Sequence, residues 1–191
     1  EYLKSVFGTD EKVCCTVKSV QQLFAEVLSF HLTPKTQRDE LAKLAELNGL
    51  RVIPEDRFSD IFYLLMSEMI EPKLEQSNLT VVYGYPPSEA ALAEIDQDGW
   101  GARFEVYWKG LELANAFIEL CDPVIQRQRS EEDLLEKSRL GRTPISLDEE
   151  FFQALEQGMP PSCGIALGLE RLYMAFFNIN NIQELYLFRD Q

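Results

Sequence analysis

Apolar residues between positions 58 and 70 recur with the period of an α-helix. They occupy Phe58, Ile61, Phe62, Leu65, Met66, Met69 and Ile70, at steps of three and four. This spacing places them on one face, so it predicts an amphipathic helix that packs on a core. Pro72 is expected to end that helix, because proline lacks the N–H that the helix needs.

Two more helices are predicted upstream of this one. Ser19 is a suitable N-cap for a helix that runs to about Phe30. A second helix is predicted from Thr36 to Leu47, closed by Asn48-Gly49. The first 78 residues are therefore interpreted as a helical segment.

The pattern changes at Leu79, where β-branched and aromatic residues begin to alternate. Leu79 to Tyr83 predicts a strand that ends at the Gly- and Pro-rich turn after it. Residues 103–108 and 111–119 flank Lys109-Gly110, a combination that predicts a β-hairpin with a two-residue loop. We place a domain boundary here, with residues 1–78 before it and residues 79–191 after it.

The remaining chain predicts three helices and one strand. Residues 123–140 are highly charged and indicate a solvated helix, and residues 148–157 indicate a shorter one. Residues 162–168 form an apolar strand, and a closing helix carries apolar residues on one face. These apolar positions are Leu169, Leu172, Tyr173, Phe176 and Phe177. The predicted fold class is α+β, an antiparallel sheet with flanking helices preceded by a helical segment.

Composition narrows the class of protein. The chain has 191 residues, 46% of them apolar and 26% charged, which is typical of a globular domain. The net charge of −14 argues against a nucleic-acid surface, because phosphate binding needs clustered Lys and Arg. No apolar run reaches the roughly 18 residues that span a bilayer, and the first residues show no signal-peptide pattern. We expect a cytoplasmic protein without a membrane segment.

The reactive side chains exclude several kinds of site. Cys14-Cys15, Cys121 and Cys163 match neither zinc-site spacing nor a disulfide framework, so buried reduced thiols are expected. His31 is the single histidine, which leaves almost nothing for a Ser-His-Asp mechanism or a multi-histidine metal site.

The predicted hairpin brings two glutamates together. With Lys109-Gly110 as the loop, Trp108 and Tyr107 face residues 111 and 112, and Glu105 faces Ala114. Glu105 and Glu112 are then diagonal neighbours on one sheet face, about 7 to 8 Å apart at Cα. Two such carboxylates can share a divalent cation that also binds substrate phosphates. A pair of solvated glutamates is the alternative.

The regular alternation of side chains along a β-strand argues against a larger site on the second strand of the hairpin. Asn115, Phe117 and Glu119 alternate on one face, but a regular strand turns that face away from Glu112. A bulge between Glu112 and Glu119 would reunite them, because one extra residue reverses every side chain beyond it.

Residues 164–171 join a strand of small residues to a helix whose first turn holds Arg171. Glycine permits close approach of a ligand to the backbone, and a helix start and an arginine both favour anions. An ordinary exposed Glu170–Arg171 pair is the alternative.

In combination these segments resemble the class II aminoacyl-tRNA synthetases of the lysyl type. Residues 164–171 resemble motif 3, residues 103–123 resemble the lysyl stretch with acidic residues at steps of seven, and residues 158–161 resemble the approach to motif 3. The resemblance is good over residues 79–191 and weaker upstream, where residues 1–78 would be an insertion between motifs 2 and 3. Ala166, together with residues 106–110 and 113–115, is closer to the elongation factor P lysine ligases than to lysyl-tRNA synthetases.

The resemblance implies a function for individual residues. Glu105 and Glu112 would hold Mg²⁺ and ATP, together with Leu113, Gly168 and Arg171, and Arg171 would be the catalytic residue. Asn115 and Glu119 would bind the amino acid, Glu119 through its side-chain ammonium, and Ala166 would line the pocket. The implied reaction joins lysine or β-lysine to AMP and then to a lysine of elongation factor P, with tRNA disfavoured as acceptor.

Two family motifs have no counterpart in the chain. Motif 1, which supplies the family's dimer interface, and motif 2, whose arginine and glutamate clamp the α-phosphate and adenine, would lie before Glu1. The chain by itself is therefore expected to be inactive. The alternatives are a fragment of a lysyl-tRNA synthetase and a non-catalytic module that binds an amino acid or nucleotide.

Overall fold

The computed structural model describes residues 14–74, 79–143 and 146–186. Its five strands are β1 (Cys15–Ser19), β2 (Leu79–Tyr85), β3 (Gly101–Trp108), β4 (Leu111–Ile118) and β5 (Cys163–Leu167). Its α-helices are α1 (Val20–Leu28), α2 (Arg38–Leu47), α3 (Phe58–Leu65), α4 (Pro123–Arg139), α5 (Glu149–Glu156) and α6 (Leu169–Phe177). The fold class is α+β, as predicted.

The strands form one sheet in the order β1-β2-β3-β4-β5. β1 is parallel to β2, whereas the pairs β2-β3, β3-β4 and β4-β5 are antiparallel. The sequence did not predict β1, which lies within the segment interpreted as helical. Of that segment, residues 1–13 and 75–78 lie outside the described residues.

The first upstream helix begins at its predicted cap, and the second begins slightly later than predicted. Ser19 caps α1, because its side chain accepts from the backbone N–H of Gln22 while the Gln22 side chain accepts from the Ser19 N–H. α2 begins at Arg38, two residues later than expected, and its end is followed by Gly49 at φ +78°.

The predicted amphipathic stripe is buried, but its geometry changes along the chain. α3 ends at Leu65, and the chain continues through a π-helical turn at Met66–Ile70 and a 3₁₀ turn at Glu71–Lys73. The α-helix therefore ends at Leu65 and not at Pro72, which lies inside the 3₁₀ turn. The wider turn carries Ile70 to full burial and brings Glu71 to the sheet.

The main core lies between these helices and one face of β2 and β3. Phe62 is fully buried there, with its ring stacked 5.6 Å from that of Phe24. Its other fully buried members include Val20, Leu32, Leu41, Ala45, Ile61, Leu65, Ile70, Val82 and Tyr85. The helical segment therefore covers one part of the sheet face that carries Tyr107.

α6 packs on the opposite face of the hairpin. Trp108, Leu113 and Ala175 are buried together, and the Trp108 ring meets that of Phe176 edge-on at 4.8 Å. The predicted apolar face of this helix is only partly used, because Tyr173 and Phe177 stack on each other and stay exposed.

The charged helices α4 and α5 have the polar contacts expected from their sequences. Arg127 of α4 donates two hydrogen bonds to Glu149 of α5, and Asp148 caps α5.

The cysteines are free, as expected, yet Cys14-Cys15 and Cys163 are exposed, so the prediction that they are buried is wrong. Among the described residues, no helix is long and apolar enough to cross a membrane.

Candidate functional site

The hairpin register places Glu105 and Glu112 on one face of the sheet. Tyr107 pairs with Glu112, as predicted, and Trp108 pairs with Leu111. Glu105 and Tyr107 lie two residues apart on β3, so their side chains are on the same face of the sheet. Because Tyr107 pairs with Glu112, the side chain of Glu112 is on that face too. The predicted partner of Glu105 was wrong, however, since Glu105 faces Asn115 and not Ala114.

A bulge in β4 explains the new partner and confirms the predicted irregularity. The partners of Val106 and Tyr107 are Ala114 and Glu112, so Leu113 is an extra residue on β4. It packs in the core under α6, while the chain beyond it is shifted by one position. Asn115 and Phe117 consequently join Glu105 and Glu112 on one face.

Glu105 lies at the centre of a buried hydrogen-bond network. Arg103 Nη2 donates to its Oε1, while the hydroxyls of Tyr85 and Tyr107 donate to its Oε2, the latter at 2.6 Å. Burial, followed by the charge of Glu105, raises the pKa of both tyrosines, so they remain protonated donors. Three donors therefore fix the orientation of this carboxylate.

The network extends to the 3₁₀ turn that follows α3. Glu71 Oε1 lies 3.3 Å from the hydroxyl oxygen of Tyr107, whose single proton is donated to Glu105. Burial raises the pKa of Glu71, and the negative charges of Glu105 and Glu112 raise it further. Three carboxylates thus influence one another on this side of the sheet, which makes the region favourable for a cation.

Glu112 and Arg171 form the open part of the site. Arg171 Nη1 donates to the backbone oxygen of Glu112 at 2.9 Å and to its carboxylate Oε2 at 3.2 Å. The two side chains are 51% and 36% exposed, so both can contact a ligand. Glu105 contacts Arg103 instead, which means that Arg171 meets only one of the two glutamates directly.

Gly168 positions Arg171 at the start of α6. Its N–H donates to the carbonyl of Leu113 at 2.8 Å, which ties the helix start to the bulge. A Cβ on Gly168 would lie 3.6 Å from the Arg171 side chain, an ordinary contact distance. Leu113, Gly168 and Arg171 are therefore neighbours, as the predicted nucleotide site requires.

A second group of predicted residues lies where β4 meets β5. Asn115 pairs with Ala166, and Phe117 pairs with Gly164, so all four are on the face of Glu105. A Cβ on Gly164 would lie only 2.6 Å from Oε1 of Glu119. Within residues 14–74, 79–143 and 146–186, no side chain forms a hydrogen bond or ion pair with that carboxylate.

The oxygen donors suit a hard cation of the magnesium type. Among the described residues, no group of three or more His, Cys, Asp or Glu side chains is placed to hold a metal ion. No donor among them is bonded to Oε1 of Glu112, whereas both oxygens of Glu105 are engaged. Such a donor set fits Mg²⁺, which commonly binds one or two carboxylates and takes its other ligands from phosphates and water.

Sequence reasoning missed the residues that surround Glu105. Four residues of this network were not assigned to the site, namely Arg103, Tyr85, Tyr63 and Glu71. Arg103 lies two residues before Glu105 on the same strand, so the alternation of the strand places both side chains on one face. The alternation was a usable signal for the arginine. The tyrosines and Glu71 approach from other elements, so no local pattern indicates them.

Comparison with known proteins gives a family for this arrangement. The model of "tRNA synthetases class II (D, K and N)" matches residues 9–191. A protein of Hamiltonella defensa is 38% identical over 175 residues, 89% of this chain and 53% of the relative. A protein of Haemophilus ducreyi is 36% identical over 178 residues, 92% of this chain and 54% of the relative.

A third relative, from Edwardsiella ictaluri, is 38% identical over 156 residues, 81% of this chain and 48% of its own length. All three relatives are named "Elongation factor P--(R)-beta-lysine ligase". The chain therefore spans about half the length of the curated relatives it matches. The family model covers nearly all of the chain, so the chain belongs to the class II tRNA synthetases of the D, K and N group.

Proposed function

We propose that the enzyme containing this chain activates a lysine-type amino acid with ATP and transfers it to elongation factor P. The observation that carries the proposal is the β4 bulge, because it places Glu112 and Asn115 on one face beside Arg171. The names of the relatives support (R)-β-lysine as the amino acid and elongation factor P as the acceptor.

In the proposed first step, a carboxylate oxygen of the amino acid attacks the α-phosphorus of ATP. The bond from that phosphorus to the bridging oxygen breaks, pyrophosphate leaves, and an aminoacyl adenylate remains. Arg171 would neutralise charge on the phosphates. Gly168, whose N–H is bonded to the carbonyl of the buried Leu113, would let the nucleotide approach the backbone because it has no side chain. A bound Mg²⁺ would supply further neutralisation of the phosphate charge.

The chain's glutamates have different proposed tasks. Glu112 would be the more accessible ligand for Mg²⁺, and Glu105 would complete the site from its fixed position. Glu119 would pair with the side-chain ammonium of the amino acid, since no side chain in the described part of the chain engages its carboxylate. Ala166, opposite Asn115, would limit the width of the pocket.

In the proposed second step, an amine of the acceptor attacks the adenylate carbonyl and AMP leaves. Elongation factor P takes part in translation, so we propose that this step occurs in the cytoplasm. Labelled (R)-β-lysine, ATP and the full-length enzyme are incubated with either elongation factor P or tRNA. The proposal predicts label on elongation factor P. Label on tRNA alone would identify a lysyl-tRNA synthetase instead.

A further inference from the structure

Arg103 is the one side chain that connects the two halves of the proposed site directly within the described part of the chain. It is 9% exposed and lies two positions before Glu105 on β3. Its Nη2 donates to Glu105, and its Nε donates to Oδ1 of Asn115 at 3.2 Å. The guanidinium thus touches a proposed cation ligand and a proposed amino-acid ligand at once.

Other contacts hold the guanidinium itself in place. Its Nη1 donates to the backbone oxygen of Glu89 at 2.7 Å and to the Tyr63 hydroxyl at 2.8 Å. The ring of Tyr85 lies beneath it, 4.5 Å from the ring centroid to Cζ. Because arginine presents its donors in a rigid fork, these contacts fix the direction of Nε toward Asn115.

The chemistry of arginine determines which end of the Asn115 amide faces the substrate. Arginine has only donors, so the atom of Asn115 that meets Nε must be the oxygen. The amide NH₂ of Asn115 is then left for other partners. An NH₂ group donates to a carboxylate oxygen but cannot accept a hydrogen bond from an ammonium group.

We propose that Arg103 is a positioning residue that orients Asn115 toward the carboxylate end of the amino acid. Glu119, four residues after Asn115 and just beyond the end of β4, then receives the ammonium end, so the two ends cannot be exchanged. This inference rests on the proposed function and adds a residue and a binding direction to it.

A double-mutant cycle in the full-length enzyme tests this inference. The variants are Arg103→Met, Asn115→Ala and both together, and the assay is pyrophosphate exchange with ATP and (R)-β-lysine. Arg103→Met is expected to raise KM for the amino acid about 10-fold when Asn115 is present. In the Asn115→Ala background it is expected to cause no further rise.

Arg38→Met is the matched control, because Arg38 binds the carbonyls of Ile53 and Asp56 and, among the described residues, forms no hydrogen bond with a proposed site residue. Its KM for the amino acid is expected to equal that of the wild type. If Arg103→Met does not fold, Arg103→Lys takes its place in the same cycle. A single ammonium cannot replace a fork that holds Glu105 and Asn115 together.

The outcomes separate this inference from the proposed function. A lower kcat with unchanged KM, or an equal rise of KM in both backgrounds, would mean that Arg103 has only a structural role. Either result overturns the inference and leaves the function intact. A wild-type enzyme without exchange for any lysine-type amino acid would overturn both.

Discussion

At the scale of single residues, Glu119 tests the direction of amino-acid binding. Its carboxylate is unengaged among the described residues and lies beside Gly164. Glu119→Gln keeps the shape of the side chain but removes the charge that would pair with an ammonium group. A charge-assisted hydrogen bond contributes about 1.5 to 3 kcal/mol, so KM for the amino acid should rise about 10-fold to 100-fold.

The control for this substitution is Glu94→Gln, since Glu94 is exposed and its backbone N–H bonds to Ile118 next to Glu119. The KM for ATP should stay near the wild-type value in both variants. Equal amino-acid KM values in the two variants would remove Glu119 from the binding site.

Ala166 tests how the pocket discriminates between amino acids. It lies opposite Asn115, and its methyl group narrows the face on which the substrate would bind. One methyl group in a small-molecule pocket shifts preference by about 1 to 3 kcal/mol. Ala166→Gly is therefore expected to improve kcat/KM for α-lysine relative to β-lysine.

Ile165→Val is the matched control, because Ile165 is the preceding residue of β5 and points to the other face. It should leave the ratio of the two kcat/KM values unchanged. An unchanged ratio in Ala166→Gly would exclude Ala166 from specificity.

At the residue scale, sequence reasoning succeeded where a side chain's role depends on its own strand. The pairing of Tyr107 with Glu112 followed from the two-residue loop alone. The buried state of Glu105 did not follow, because its partner Tyr85 becomes a neighbour only when β2 and β3 pair.

At the scale of elements, the β4–β5 pairing places Gly164 beneath Glu119. A Cβ at position 164 would approach Oε1 of Glu119 to 2.6 Å, closer than real contacts allow. Gly164→Ala should therefore displace the Glu119 carboxylate while leaving the strand paired. Because misplacement by about 1 Å can cost about 100-fold in activity, a 10-fold to 100-fold loss of kcat/KM for the amino acid is expected.

Circular dichroism and the melting temperature of Gly164→Ala serve as its structural control. Both should match the wild type, since the displaced atom is the end of a flexible side chain. A variant with wild-type kcat/KM would show that the position of Glu119 has no bearing on activation.

The 3₁₀ turn at Glu71–Lys73 allows a prediction about pH and stability. Burial raises the pKa of Glu71 above its ordinary value of 4.5, so folding disfavours its charged form. Protonated Glu71 therefore contributes to the free energy of unfolding below the pKa that it has in the unfolded chain. This contribution is lost as the pH rises through its pKa in the folded protein. At pH 7, Glu71→Gln should raise the free energy of unfolding by less than about 1 kcal/mol, because the side chain is partly solvated.

Urea unfolding at pH 7 and at about pH 4 measures this difference, which should vanish at the lower pH. Glu68→Gln, in the exposed part of the preceding turn, is the control. If Glu71→Gln has a lower free energy of unfolding than the wild type at pH 7, the charged Glu71 side chain does not destabilise the fold and the prediction is wrong.

Element boundaries were predictable where capping signals are local and failed where pairing is distant. Ser19 and its glutamine three residues later define the start of α1 from sequence. β1 was missed because a five-residue strand next to a helix start has no clear period, and its partner β2 begins 60 residues after the end of β1. The bulge was predictable only in combination with the family resemblance, since period two alone gives the wrong face.

At the scale of the whole molecule, the chain has a net charge of −14, and two of its arginines lie on the proposed site face. Arg103 and Arg171 lie among its glutamates there. These two guanidinium groups suit the phosphates of a single nucleotide.

Activation of a lysine-type amino acid on this face is measured by the amino-acid-dependent exchange of pyrophosphate into ATP. The full-length enzyme is assayed with (R)-β-lysine, L-lysine, aspartate and asparagine, without any acceptor. The account predicts exchange with the two lysine-type amino acids and none with aspartate, because Glu119 repels a second carboxylate. Glu112→Ala should abolish that exchange. Exchange with aspartate or asparagine, or full exchange in Glu112→Ala, would contradict the account.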